Sequence, residues 1–228
     1  MLDNMAGAVA GRMIVVAGGN KAGIPCNDAY SLDLDDLAAG WQRLPDFPGN
    51  PRIQAVCAAR EEAGGGFSLY LWGGFAPAAG NRAASLSTDG YVYSSASGRW
   101  EALPSPVDAD GETVSLGGGT AVALSGDVIL CMGGVHEDIF LQALRKPVAG
   151  YLEHPAEWYR FNTRLLAYSI SGNQWSEVAR CPEAARAGAA LVGNGRDLLY
   201  IGGELKPGVR APSVVCFRLR ACLNFVQH

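Results

Sequence analysis

Four short apolar runs in this chain stop at the same place, a pair of glycines. They are "MIVVAGG" (13–19), "SLYLWGG" (68–74), "VILCMGG" (128–134) and "LLYIGG" (198–203). Each is too short for a helix and rich in β-branched or aromatic residues, so each predicts a strand buried on both faces. A small-residue apolar stretch precedes every run: "AGAVA", "IQAVCAAR", "GGTAVAL" and "AGAALV". A short turn joins each pair into a hairpin. Downstream come "AYSLDL" (29–34), "GYVYSS" (90–95), "LLAYSI" (165–170) and "VVCFRL" (214–219). After the first three of these, a further strand begins at Trp41, Trp100 or Trp175.

Hairpin, glycine pair, aromatic strand and tryptophan strand make one four-stranded antiparallel sheet, repeated along the chain. This order resembles the kelch motif, whose sheets are the blades of a β-propeller. The expected fold class is therefore all-β: a kelch-type β-propeller forming a single domain over 1–228, with about four four-stranded blades. Repeats are expected at approximately 5–47, 48–106, 112–183 and 184–228. The tyrosines and tryptophans fill the space between blades, where each buries roughly 150–250 Å². The fourth repeat has no tryptophan strand, since only "ACLNFVQH" follows its aromatic strand. Either four blades close tightly or the chain is part of a larger propeller. An unclosed arc would leave an open blade edge, through which a homo-oligomer could form.

Composition narrows the function classes. The 228 residues are 49% hydrophobic and 18% charged, which is globular, and the 30 glycines suit many tight turns. Net charge is −4 with no basic stripe, which disfavours nucleic acid and anionic membrane surfaces as partners. No apolar run reaches the roughly 18 residues of a membrane span. The start, "MLDNMAGAVAGR", lacks an export signal, so the chain as written reads as cytoplasmic. A signal lying upstream would make it periplasmic or secreted. Cys26, Cys57, Cys131, Cys181, Cys216 and Cys222 form no CxxC pair and stand mostly in strand-like runs. They are expected to be buried small hydrophobes in a reducing compartment. His136, His154 and His228 have no metal-ligand spacing, and no P-loop, GxSxG or HExxH motif is present.

In a propeller, loops leaving the inner strands converge on one mouth of the central channel, the usual place for binding and chemistry. The loops after the glycine pairs are "NKAGIP" (20–25), "FAPAAGNR" (75–82), "VHEDIF" (135–140) and "ELKPGVR" (204–210). They bring forward Asn20, His136, Glu204 and Arg210. About 30 residues separate the third glycine pair from its next strand, a length that favours a functional loop. That insertion carries "EWYRFN" (157–162) with Tyr159, an expected lid or wall of the mouth. Arg52 and Gln54 in "FPGNPRIQA", and Arg186 in "PEAARAGAA", lead into inner strands. These arginines either hold an acidic ligand by bidentate bonds or tie blade to blade through backbone carbonyls. By itself, "ELKPGVR" also reads as a Pro-Gly turn with solvated charges.

Taken together, "WQRLPDFPGNPRIQA", "GGVHEDIF", "EWYRFNTRLLAYSISGNQWSEVA" and "GGELKPGVR" resemble the bacterial N-acetylneuraminate (sialic acid) mutarotase family. The resemblance covers most of the chain, and the "GExKPGxR" pattern is its most specific part. It implies a six-bladed propeller, in a circularly permuted branch, that interconverts the α and β anomers of free sialic acid through the open-chain form. It implies a catalytic pair at Glu204 and Arg210, with Arg52, Gln54, Asn20, His136, Arg186 and Tyr159 as candidate substrate-binding residues. No metal and no organic cofactor is implied. Only about four of the six blades are present, so the missing outer strand and two blades are expected ahead of Met1. The alternative is a non-catalytic kelch binding module, or an inactive truncated mutarotase homologue.

Overall fold

The computed structural model describes residues 2–124, 126–146, 148–193 and 197–219. Cys222, His228 and the stretch "ACLNFVQH" lie outside the described residues. Among the described residues, four antiparallel blade sheets follow one another along the chain, beside three smaller sheets in the loops between strands. Blade one is Ala6–Ala10, Met13–Ala17, Ala29–Asp33 and Gln42–Leu44. Blade two is Val56–Glu61, Phe67–Trp72, Gly90–Ser94 and Arg99–Leu103. Blade three is Gly119–Ala123, Val128–Gly133, Arg164–Ser169 and Gln174–Arg180. Blade four has three described strands: Ala190–Gly193, Asp197–Ile201 and Val214–Arg218. In each sheet the strands pair in chain order, as a meander. The fold is a kelch β-propeller arc. The four innermost strands line an axial channel of about 300 Å³, built by residues 5–7, 55–57, 119–121 and 189–191.

Packing between blades supplies the core, with one apolar cluster at each of the three junctions. The second strands of blades two and three are buried along their whole length. Those of blades one and four are not: Met13–Ala17 and Asp197–Ile201 alternate between buried and partly exposed residues. This corrects the expectation of burial on both faces, and the cause is position. A strand is covered twice only when its sheet has a neighbour on each side. The end blades accordingly show aliphatic side chains to solvent, among them Val9 (59% exposed) and Val214 (59%).

The tryptophans interlock the blades by a hydrogen bond as well as by area. Trp100 Nε1 of blade two donates to the Pro45 carbonyl of blade one at 2.8 Å, and Trp175 Nε1 of blade three donates to Pro104 of blade two at 3.0 Å. The recurring "W…LP" therefore joins each Trp to the Leu-Pro end of the preceding blade. Buried indole N–H groups need such a partner. Trp41, with no preceding described blade, is 51% exposed.

The glycine pairs are required by backbone shape. Gly73 and Gly74 have φ of 64° and 89°, and a β-carbon on Gly74 would lie 2.8 Å from the Ile53 carbonyl oxygen. Only glycine meets both conditions without strain. The cysteines divide: Cys57 and Cys131 are buried, Cys26 and Cys181 are half-buried, and Cys216 is exposed. All five are free thiols, and burial pushes the Cys57 thiol up to about 12. Cys216 departs from the expected burial because it sits in the last described strand of blade four, on a sheet with one open face.

Arg52 is wholly buried, and its place explains how consecutive blades are held. Its carbonyl accepts from Gly19 N–H and its own N–H donates to the Cys26 carbonyl, both in blade one. Its guanidinium reaches into blade two, donating to the Gly73 carbonyl at 3.2 Å and to both Asp89 carboxylate oxygens at 2.7 and 2.9 Å. Arg186 repeats the device two junctions further on, between blades three and four. Its carbonyl accepts from Gly134 N–H of blade three, while its guanidinium donates to the Gly202 and Ser213 carbonyls of blade four at 2.8 and 3.2 Å. Of the two readings left open by the sequence, the geometry gives the tie between blades.

Two outcomes follow for stability. Arg52→Met strands Asp89 and removes the tie; because the Asp89 side chain is 42% exposed, solvent softens the loss, and we expect about 3 kcal/mol, the low end for a broken buried pair, in urea denaturation. Burial alone would raise the carboxyls of Asp28 and Asp89. Hydrogen bonds and charge outweigh it and hold both below the usual aspartate range, from Tyr30 and Lys21 at Asp28 and from Arg52 and Tyr91 at Asp89. A lowered native value stabilises at neutral pH, and that stability is lost as acid protonates the group. The urea midpoint should therefore fall as pH drops below about 4, and fall less steeply in Asp89→Asn.

Candidate functional site

The mouth of the channel is organised by a chain of backbone hydrogen bonds that local sequence does not reveal. Gln54 N–H donates to the Asn4 carbonyl at 3.2 Å, Gly118 N–H to Gln54 at 3.0 Å, and Gly188 N–H to Gly118 at 2.7 Å. Each residue stands just before an innermost strand, and all four have positive φ, from 50° to 71°. Two are glycines. Asn4 and Gln54 hold the same left-handed backbone with a side chain attached, a conformation uncommon outside glycine. The exposed Gln54 is thereby set on the inner rim, with Asn4 as its unforeseen counterpart one blade earlier.

The residue after each glycine pair forms a second rank around this rim. Asn20, Phe75, Val135 and Glu204 hold equivalent places, and each is hydrogen-bonded to the segment entering an innermost strand. Glu204 exchanges N–H and carbonyl with Ala187 at 2.7 and 3.0 Å, and Phe75 does so with Ile53 at 2.9 and 2.8 Å. Phe75 and Val135 are buried apolar residues, so polar chemistry at this rank is confined to Asn20 and Glu204. Asn20 Nδ2 donates to Asp3 Oδ1 at 2.9 Å, while its buried Oδ1 has no protein partner.

Glu204 and Arg210 are brought together. They are register partners in a two-stranded ribbon, Glu204–Lys206 against Val209–Arg210, closed by a turn in which Gly208 has φ 78°. Carboxylate and guanidinium stand 4.0 Å apart, with the Glu204 side chain 33% and the Arg210 side chain 84% exposed. An ion pair this long and this exposed contributes little to stability. Both groups keep hydrogen-bonding capacity for a ligand.

The other candidates fall elsewhere. His136 precedes the helix Glu137–Arg145, formed where the sequence predicts a loop. It lines a cleft of about 370 Å³ formed by Asp108, residues 112–115 and 135–138, Arg160, Asn162 and Arg164, which neither Glu204 nor Arg210 lines. Burial and the nearby Arg160 charge hold its imidazole below the usual range. Its buried Nδ1 has no protein partner. Tyr159 is 1% exposed, with its hydroxyl donating to the Tyr151 carbonyl and its ring packed against Trp158 and Tyr151. It is the interior of the insertion wall, and its hydroxyl is spent inside the protein. The Arg52 guanidinium is likewise committed to the tie described above, and Arg186 gives both terminal nitrogens to its own, while its buried Nε has no protein partner. Two residues missed from sequence are Asp28 and Asp89, which anchor the mouth ends of the third strands. Their signal was present as "DAY" and "DGY" before two successive aromatic strands.

The fold has counterparts among known proteins. A family model described as N-acetylneuraminate epimerase matches residues 2–222. A protein of Haemophilus influenzae (strain 86-028NP) named N-acetylneuraminate epimerase is 33% identical over 216 residues, covering 90% of this chain and 54% of its own length. One of the same name from Salmonella paratyphi B is 29% identical over 222 residues, covering 92% and 54%. The solved structure of YjhT superposes with a TM-score of 0.75 at 26% identity, covering 96% of this chain and 65% of its own. The chain thus spans about half the length of the curated relatives it matches. On these matches, the chain belongs to the N-acetylneuraminate epimerase family.

Proposed function

We propose that this chain carries the anomer-exchanging site of a sialic acid mutarotase, acting on free N-acetylneuraminate. The observation that supports it most is the pairing of Glu204 and Arg210 across one ribbon at the channel mouth, an acid–base group beside an anion-binding group. In the exchange, the Glu204 carboxylate takes the proton of the anomeric hydroxyl, and that oxygen's electron pair forms the carbonyl. The bond from the anomeric carbon to the ring oxygen breaks, and the ring oxygen is protonated. The open-chain keto form then recloses on the opposite face with the reverse transfers, so no proton is consumed. A general acid–base group suits this chemistry. The Arg210 guanidinium holds the sugar acid's carboxylate by charge-assisted bonds. Gln54 and Asn20, on the rim, are the nearest equivalents among the remaining candidates for holding the sugar's hydroxyl and amide groups.

Extent bears on this reading. The chain covers 65% of the solved chain it superposes on, and the exposed aliphatic faces of blades one and four are where further blades of a six-bladed ring would pack. Arg210, at the blade-four end of the arc, would gain cover from the next blade. A second reading, a binding module or an inactive truncated homologue, is favoured by one observation: the 84% exposure of that guanidinium.

Exchange NMR on the two anomers of N-acetylneuraminate decides between them. We expect exchange faster than in buffer, loss of about a hundredfold in the catalysed rate for Glu204→Gln, and about tenfold weaker saturation for Arg210→Ala. A wild-type rate equal to buffer, together with a melting temperature raised by the sugar, would assign binding without chemistry.

A further inference from the structure

We propose that Lys206 is a positioning residue for the Glu204–Arg210 pair, latching their ribbon to a strap that crosses the mouth from blade two to blade four; the inference rests on the function proposed for that pair. The ribbon itself is short. Its base is fixed by the backbone bonds between Glu204 and Ala187, but its tip is a two-residue turn at Pro207 and Gly208. Lys206 stands between base and tip, half-buried, and its ammonium reaches across to the insertion. Nζ donates to the Leu152 carbonyl at 3.0 Å and the His154 carbonyl at 2.7 Å. A lysine ordinarily keeps its head in water, because ordering a long stem costs entropy. Here two charge-assisted bonds to backbone oxygens offset that cost.

The carbonyls that Lys206 grips belong to a segment braced by packed rings. The His154 imidazole stacks on Trp158 with 3.9 Å between centroids and 9° between planes. Trp158 in turn meets Tyr151 and Tyr159 edge-on. The other end of the same insertion is anchored on blade two. Phe140, in the helix Glu137–Arg145, packs edge-on against Phe75 at 4.8 Å, and Arg145 Nε donates to the Ala84 carbonyl at 3.4 Å. The insertion leaves blade three, rests on the mouth loop of blade two and receives Lys206 from blade four. The distance and tilt of Glu204 and Arg210 over the channel are therefore set through Lys206 by a strap indexed to two other blades. A misplacement of about 1 Å at such a pair is enough to cost much of its rate.

The test uses the 228-residue chain with Lys206→Met, Lys206→Arg and, as a control on the same insertion, Lys146→Met. Hydrogen exchange read by mass spectrometry should show amides in 150–160 and 204–210 opening about tenfold more readily in Lys206→Met, with Lys206→Arg restoring most of the protection and Lys146→Met unchanged. The side-chain NMR signals of the Glu204 carboxyl carbon and Arg210 Nε should move in Lys206→Met alone. Where the parent exchanges anomers, Lys206→Met should lower kcat more than it raises KM. Unaltered protection, or unmoved Glu204 and Arg210 signals, would overturn the latch. An inactive parent would sink the proposed function while these two signals still judge the latch.

Discussion

The arc depends on one junction, where the segment entering each innermost strand meets the glycine pair of the blade before it. At that point two backbones approach too closely for a β-carbon, and polar groups must be satisfied away from water. The chain solves this with a buried arginine at two of the junctions. Arg52 and Arg186 each bond one blade through the main chain and the next through the guanidinium. At the junction between blades two and three, the corresponding position is Leu116, also fully buried, and the weight shifts to aromatic packing among Trp72, Tyr168 and Trp175.

The geometry of the site follows from that junction. Because each entering segment is pinned, its next residues fall in fixed places around the channel: Asn4, Gln54, Gly118 and Gly188 on the inner rim, then Asn20, Phe75, Val135 and Glu204 behind them. Sheet architecture thus delivers one residue per blade to each rank. The ribbon at 204–210 needs only a register pairing to set an acid beside a base, and the insertion from blade three gives it a wall. The proposed site thus rests on one short ribbon and one long insertion, carried by a scaffold held together elsewhere.

Legibility was uneven. Strand positions were readable because the signals are local: apolar runs, paired glycines and a Trp ahead of a Leu-Pro. The insertion was readable as a long segment, but its helix was not, although "EDIFLQALR" has acid at its start and arginine at its end, as a helix dipole favours. Arg52, Arg186 and Tyr159 show the harder limit. Their residue types suit a ligand and an interior equally well. What assigns them is a set of partners far along the chain: Asp89 lies 37 residues from Arg52, and Ser213 lies 27 from Arg186.

The sequence by itself determined the repeated sheet, the order of strands and the placing of Glu204 and Arg210 in one turn-closed loop, because strand alternation, glycine's backbone freedom and turn chemistry act over a few residues. Only the tertiary structure decided which charged side chains remain open to a ligand. Burial and hydrogen-bond satisfaction depend on what the other blades bring to the same point. That is why Arg52 and Arg186 became ties, Tyr159 became core, and Lys206 turned from a loop charge into a grip on the insertion.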